Sequence, residues 1–111
     1  MNSGPTCIGV LREPAHSPGR VDDDAAIMES VGDAMRERGF SVELIPADAV
    51  MEGPPANLFV MCERGTVLDR LAAMEKAGSI VVNSAAAIRN TYRCRMVELF
   101  TRCGVAAPRV W

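Results

Sequence analysis

The feature that most constrains this chain is an alternation. Short, unbroken apolar runs are separated by longer stretches whose apolar residues recur at three-and-four spacing, and the longer stretches close at glycines. The apolar runs are Thr6-Cys7-Ile8-Gly9-Val10-Leu11, Phe40 to Ile45, Asn57 to Cys62 and Ile80-Val81-Val82. Continuous rather than alternating hydrophobicity suits strands covered on both faces. Between them, a helix is predicted to begin near Asp22-Asp23-Asp24, where carboxylates accept unpaired amide protons and oppose the positive end of the dipole. Its buried stripe would be Ile27 or Met28, Val31, Ala34 and Met35, and Gly39 would end it. A second helix is expected from a capping-box-like pair, Thr66 and Asp69, to Gly78, with Val67, Leu68, Leu71, Ala72 and Met74 inside. Asn83-Ser84 lead into a brief helical stretch through Ile88. A last helix, capped by Thr91, would carry Met96, Leu99, Phe100 and Cys103 up to Gly104. Met28, Met35, Met61, Met74 and Met96 are all expected in the core.

Strands alternating with helices imply right-handed βαβ crossovers. The expected fold is therefore a small three-layer, Rossmann-like α/β domain with a mostly parallel sheet of about four to five strands. Val105 to Trp111 would begin a further extended segment, so the chain is expected to be a fragment of a longer protein. A length of 111 residues fits one domain that buries its core without disulfides or metal.

Charge narrows the partners. The net charge of −2 comes from interspersed acidic and basic residues, which nominates neither nucleic acid nor a membrane surface. One Trp, one Tyr and three Phe are few for stacking on bases. No apolar stretch approaches the ~20 residues of a membrane span, and no export signal is recognisable, so a cytoplasmic location is expected. Cys7, Cys62, Cys94 and Cys103 show no CxxC spacing and the lone histidine, His16, stands apart from them, so no metal site is expected. They are read as free thiols, small buried hydrophobes in a reducing compartment.

The sequence has no GxGxxG, no GxxxxGK with a following Ser or Thr, and no GxSxG. A self-contained nucleotide site or a hydrolytic nucleophile is thus not expected. In open parallel sheets, ligands bind outside the carboxyl ends of the strands. Arg12 to Arg20, Glu63-Arg64-Gly65-Thr66 and Asn83-Ser84 fall there. The first segment concentrates Arg12, Glu13, His16 and Arg20. Arg12 is the expected carboxylate or phosphate clamp, because its planar fork can bind either group in a bidentate way; Glu13 and His16 would orient an amine. Asp22-Asp23-Asp24 is read as a solvated first turn rather than a Mg²⁺ site.

The last third is more specific. Ile80-Val81-Val82-Asn83-Ser84-Ala85-Ala86-Ala87-Ile88-Arg89-Asn90, then Tyr92-Arg93-Cys94-Arg95-Met96, Leu99-Phe100 and Gly104-Val105-Ala106-Ala107-Pro108, resembles a junction found in ATP-grasp ligases. There the last strand of an N-terminal pre-ATP-grasp domain leads into a helix with a basic residue near its start, and the chain then enters the ATP-grasp domain. The resemblance implies that residues 1–111 are a pre-ATP-grasp-like domain, with the ATP-grasp domain expected after Trp111. It implies an ATP-dependent carboxylate–amine ligase acting on a small-molecule carboxylate, with ATP and Mg²⁺ held by the full-length protein. This chain by itself would have no catalytic residue and bind no nucleotide tightly. Arg93, with Tyr92 where the family has Asp, would face the nucleotide phosphates, and Arg95 is a second candidate. Arg12, Glu13, His16, Arg20, Glu63, Asn83 and Ser84 would be the substrate side. A second copy of the chain is a further possible partner. The alternative is a free-standing flavodoxin-like or receiver-like module, although a receiver would want Asp where Cys62-Glu63 stand.

Overall fold

Four strands set the architecture. In the computed structural model, which describes residues 5–50, 54–61 and 63–106, β1 (Thr6–Val10) lies between β2 (Ser41–Ile45) and β3 (Asn57–Val60). β4 (Ile80–Val82) pairs with the far side of β3, and every pairing is parallel. The helices are α1 (Val21–Glu37), α2 (Gly65–Lys76), α3 (Ala85–Asn90) and α4 (Arg93–Cys103), with 3₁₀ turns at Pro14–His16 and Ala47–Ala49. The expected small α/β fold with a parallel sheet is therefore present. None of the helices is long and apolar enough to cross a membrane among the described residues.

The core lies on one face of the sheet. Val10, Leu58, Val60 and Val81 point from the strands toward Val67, Leu68, Leu71 and Met74 of α2, and Ala47, Val50, Ala85 and Ile88 close the rim. The register explains why one face collects these side chains. Val10 pairs with Val60 and Leu58 with Val81, so residues of matching parity share a side across neighbouring strands. The opposite face carries Cys7, Gly9, Phe59, Ile80 and Val82, and α1 covers it over β2 and β1.

Several expectations about boundaries and burial change. α2 begins at Gly65 with Arg64 at the N-cap position and no side-chain cap; Asp69 bonds Arg89 Nη2 at 2.7 Å instead of closing a capping box. Tyr92, not Thr91, stands at the N-cap position of α4. α3 runs to Asn90, and the Thr91 hydroxyl donates to the Ile88 carbonyl at 2.6 Å, so Thr91 finishes α3. Gly39, Gly78 and Gly104 do follow the three longer helices with positive φ of 96°, 107° and 72°.

The buried stripe of α1 is Met28 and Gly32, with Met35 half-buried; Ile27 and Val31 are 50% and 40% exposed, and Ala34 is exposed. Gly32 explains the shift, since a Cβ there would lie 3.3 Å from Val42 Cγ1, so the helix rests on β2 along its glycine. Of the methionines, Met28 and Met74 are buried, Met35 and Met61 half-buried, and Met96 is exposed. Cys7 is a buried thiol as expected, whereas Cys94 and Cys103 are exposed on α4, which packs on α3. The expected fifth strand has no counterpart at Val105 and Ala106; its remainder and Cys62 lie outside the described residues.

Candidate functional site at the carboxyl edge of the sheet

The β1–α1 and β3–α2 loops meet beyond adjacent strands. Val10 and Val60 are paired at the ends of β1 and β3, and each is followed by a loop that carries a glutamate, Glu13 in the longer and Glu63 in the shorter. These two strands flank the point where the order reverses, since β2 lies on one side of β1 and β3 and β4 on the other. The crevice at such a point is where open parallel sheets bind ligands.

Glu63 is the centre of the cluster. The residue is 3% exposed. Its Oε2 accepts the backbone N–H of Glu13 at 2.8 Å, and its Oε1 accepts the backbone N–H of Arg64 at 3.1 Å and meets His16 Nδ1. Glu13 and His16 bracket the 3₁₀ turn that opens with Pro14. Three residues per turn bring positions i and i+3 to one side, so both side chains face Glu63, and His16 Nδ1 is 3.4 Å from Glu13 Oε2. The Glu63 carbonyl accepts the Tyr92 hydroxyl at 3.0 Å, and the Arg64 guanidinium stands 5.3 Å from the Tyr92 ring centre. Tyr92 thereby fastens the α3–α4 junction to the same loop.

Beside this cluster is a cavity of about 470 Å³ whose walls include Arg12, Glu13, Ser17, Asp24, Ala47 and Asp48. Arg12 Nη1 is 3.7 Å from Asp24 Oδ2, and buried Ser17 donates its hydroxyl to the same carboxylate. Arg12 Nε is buried with no hydrogen-bond partner among the described residues. The arginine fork is thus only partly satisfied at the wall of an open cavity. Asp24 belongs to the acidic run at the start of α1; its pairing with Arg12 makes it more than a solvated first-turn charge.

The other sequence-derived candidates occupy separate positions. Arg20 is exposed at the start of α1 and pairs with Asp23 at 3.2 Å. Asn83 donates to the Val60 carbonyl at 3.3 Å, linking the ends of β4 and β3, and Ser84 caps α3 by accepting the Ala87 N–H at 3.1 Å. Arg93 is the first residue of α4, near the start of the last helix as the resemblance implies. Arg95 is exposed, bonded to Asn90 and Glu98, each at 3.3 Å, at a cavity of about 520 Å³ shared with Tyr92 and Arg89. Arg12, Glu13, His16 and Glu63 are therefore brought together; Arg20 and Arg95 are not. Ser17 joins the site without a sequence signal that singled it out; Asp24, read as a solvated first-turn charge, and Tyr92, read only as the neighbour of Arg93, join it through partners distant along the chain, Arg12 and the Glu63 carbonyl.

Fold and site together define an α/β domain with a polar cluster at the switch point of a parallel sheet. No protein-family model matches the chain, and searches of curated proteins and of solved structures return no match.

Proposed function

We propose that this chain is the substrate-side, pre-ATP-grasp-like domain of an ATP-dependent carboxylate–amine ligase. The observation that carries the reading is the bond from Tyr92 to the Glu63 carbonyl. It joins the helix that opens with Arg93 to the loops bearing Arg12, Glu13 and His16, which supports a reading in which the start of that helix would serve the nucleotide and the loops the substrate. Arg12 would hold a carboxylate of the substrate, while Glu13 and His16 would orient an amine. ATP and Mg²⁺ would be held largely by a domain following Trp111, in a cytoplasmic enzyme. A free-standing flavodoxin-like module is the second reading, favoured by strand order 2-1-3-4, which opens that fold too. Its receiver form fits less well, because the acidic group after β3 is the buried and bonded Glu63.

Translating the encoding frame past Trp111 and assaying the complete product tests the reading. Continuation with ATP-dependent phosphate release from a carboxylate and an amine is expected, and Arg93→Ala should lower ATP use by the equivalent of about 1.5–3 kcal/mol. A stop codon after Trp111, or unchanged ATP kinetics in that variant, would go against it. The chain alone should give at most weak heat with Mg-ATP, since one arginine on an open surface is no closed phosphate cradle.

A further inference from the structure

Glu63 poses a charge problem that the ligase reading does not use. Buried charges are ordinarily paired or coordinate metals, yet among the described residues no Lys or Arg forms an ion pair with this carboxylate. Its ionic contact is His16, and His16 also faces Glu13. One imidazole therefore stands between two carboxylates.

We propose that Glu13, His16 and Glu63 form a binding site for a divalent cation of the zinc type. One ligand atom from each lies within 4.8 Å of the other two, a spread that small side-chain movements can close onto an ion. Two carboxylates and a neutral imidazole balance a doubly charged cation. A mixed nitrogen–oxygen set suits Zn²⁺ better than Mg²⁺ or Ca²⁺, which prefer oxygen alone. The backbone holds the ligands in place: the 3₁₀ turn aligns Glu13 with His16, and the N–H groups of Glu13 and Arg64 orient the Glu63 carboxylate. Such outer hydrogen bonds fix ligand orientation in metal sites. Three protein ligands leave a coordination position open, and the half-buried Glu13 also lines the cavity beside Arg12. A bound ion would there meet a water or an oxygen of a small anion.

The test is zinc titration of the 111-residue chain under reducing conditions, by competition with a chromophoric chelator, with X-ray absorption on the loaded protein. One equivalent of zinc with a nitrogen–oxygen shell is expected. His16→Ala, on a partly exposed loop residue, should weaken binding at least about tenfold, and Glu63→Gln should do the same at preserved side-chain shape. Zinc should raise the melting temperature of the parent chain and not that of His16→Ala. Sulfur in the first shell would assign the ion to the thiols, exposed Cys94 and Cys103 among them. That result, unchanged affinity in a folded His16→Ala, or no saturable binding would each overturn the proposal. No readout involves ATP, so the metal site and the ligase reading stand or fall separately.

Discussion

The two faces of the sheet are built to different degrees of closure. On the α2 face, Leu68 and Leu71 are 1% and 0% exposed, and every strand contributes to the packed layer. On the other face α1 covers β2 and β1, Cys7 is buried and Phe59 half-buried, but Ile80 and Val82 of β4 are 62% and 60% exposed. Helix coverage, not strand hydrophobicity, thus decides burial: β4 is wholly apolar, yet only Val81, which points at α2, is inside. The polar cluster of Glu13, His16 and Glu63 sits at the edge between these faces, where loops rather than packed helices meet.

The largest effect should come from the closed face. Leu71→Ala should cost about 2–5 kcal/mol in urea unfolding, because the residue is enclosed and the cavity cannot fill from solvent. A cost below that of an exposed substitution would mean the α2 layer is loosely packed. Next is the tight spot of the other face. A Cβ on Gly9 would lie 2.5 Å from both Leu44 Cδ2 and Phe59 Cζ, so Gly9→Ala should destabilise by about 1–3 kcal/mol through overpacking. A neutral result would show that Leu44 and Phe59 can move aside into the open half of that face.

At the edge, His16→Ala should release the β1–α1 loop from the β3–α2 loop. Hydrogen exchange at the Glu13 and Arg64 amides should quicken in that variant, while the amides of β3 keep their protection. Unchanged exchange at Glu13 would mean that the backbone alone holds the loop. The smallest effect belongs to the open face: Val82→Thr should shift stability by no more than about 0.5 kcal/mol. The same variant should weaken any self-association through this apolar patch, read by sedimentation equilibrium across a concentration series. A loss comparable to that of Leu71→Ala would show that the β4 face is covered in the folded protein.

Much of this architecture was legible from local patterns. The four apolar runs, the glycines after the longer helices and the acidic first turn of α1 each act within a few neighbouring residues, so reading them needs no knowledge of the fold. The errors arose where a side chain had two possible partners. Asp69 chose Arg89 over the helix start, Thr91 chose the end of α3 over the start of α4, and Val31 was turned outward once Gly32 let α1 settle on β2. The meeting of His16 with Glu63 was not legible, because the two are 47 positions apart.

Local residue patterns dictate the alternation of strands and helices, the parallel sheet that follows from it, and the gathering of polar residues after the strands. Hydrophobic periodicity and turn chemistry are short-range, and they survive in any window of the chain. Which of those polar residues meet is set by long-range packing. Parallel pairing of Val10 with Val60 delivers Glu13 and Glu63 to the same level beyond the sheet, and the 3₁₀ turn swings His16 between them. Registers of this kind depend on strand pairing across long loops, a contact between distant segments that no local pattern encodes.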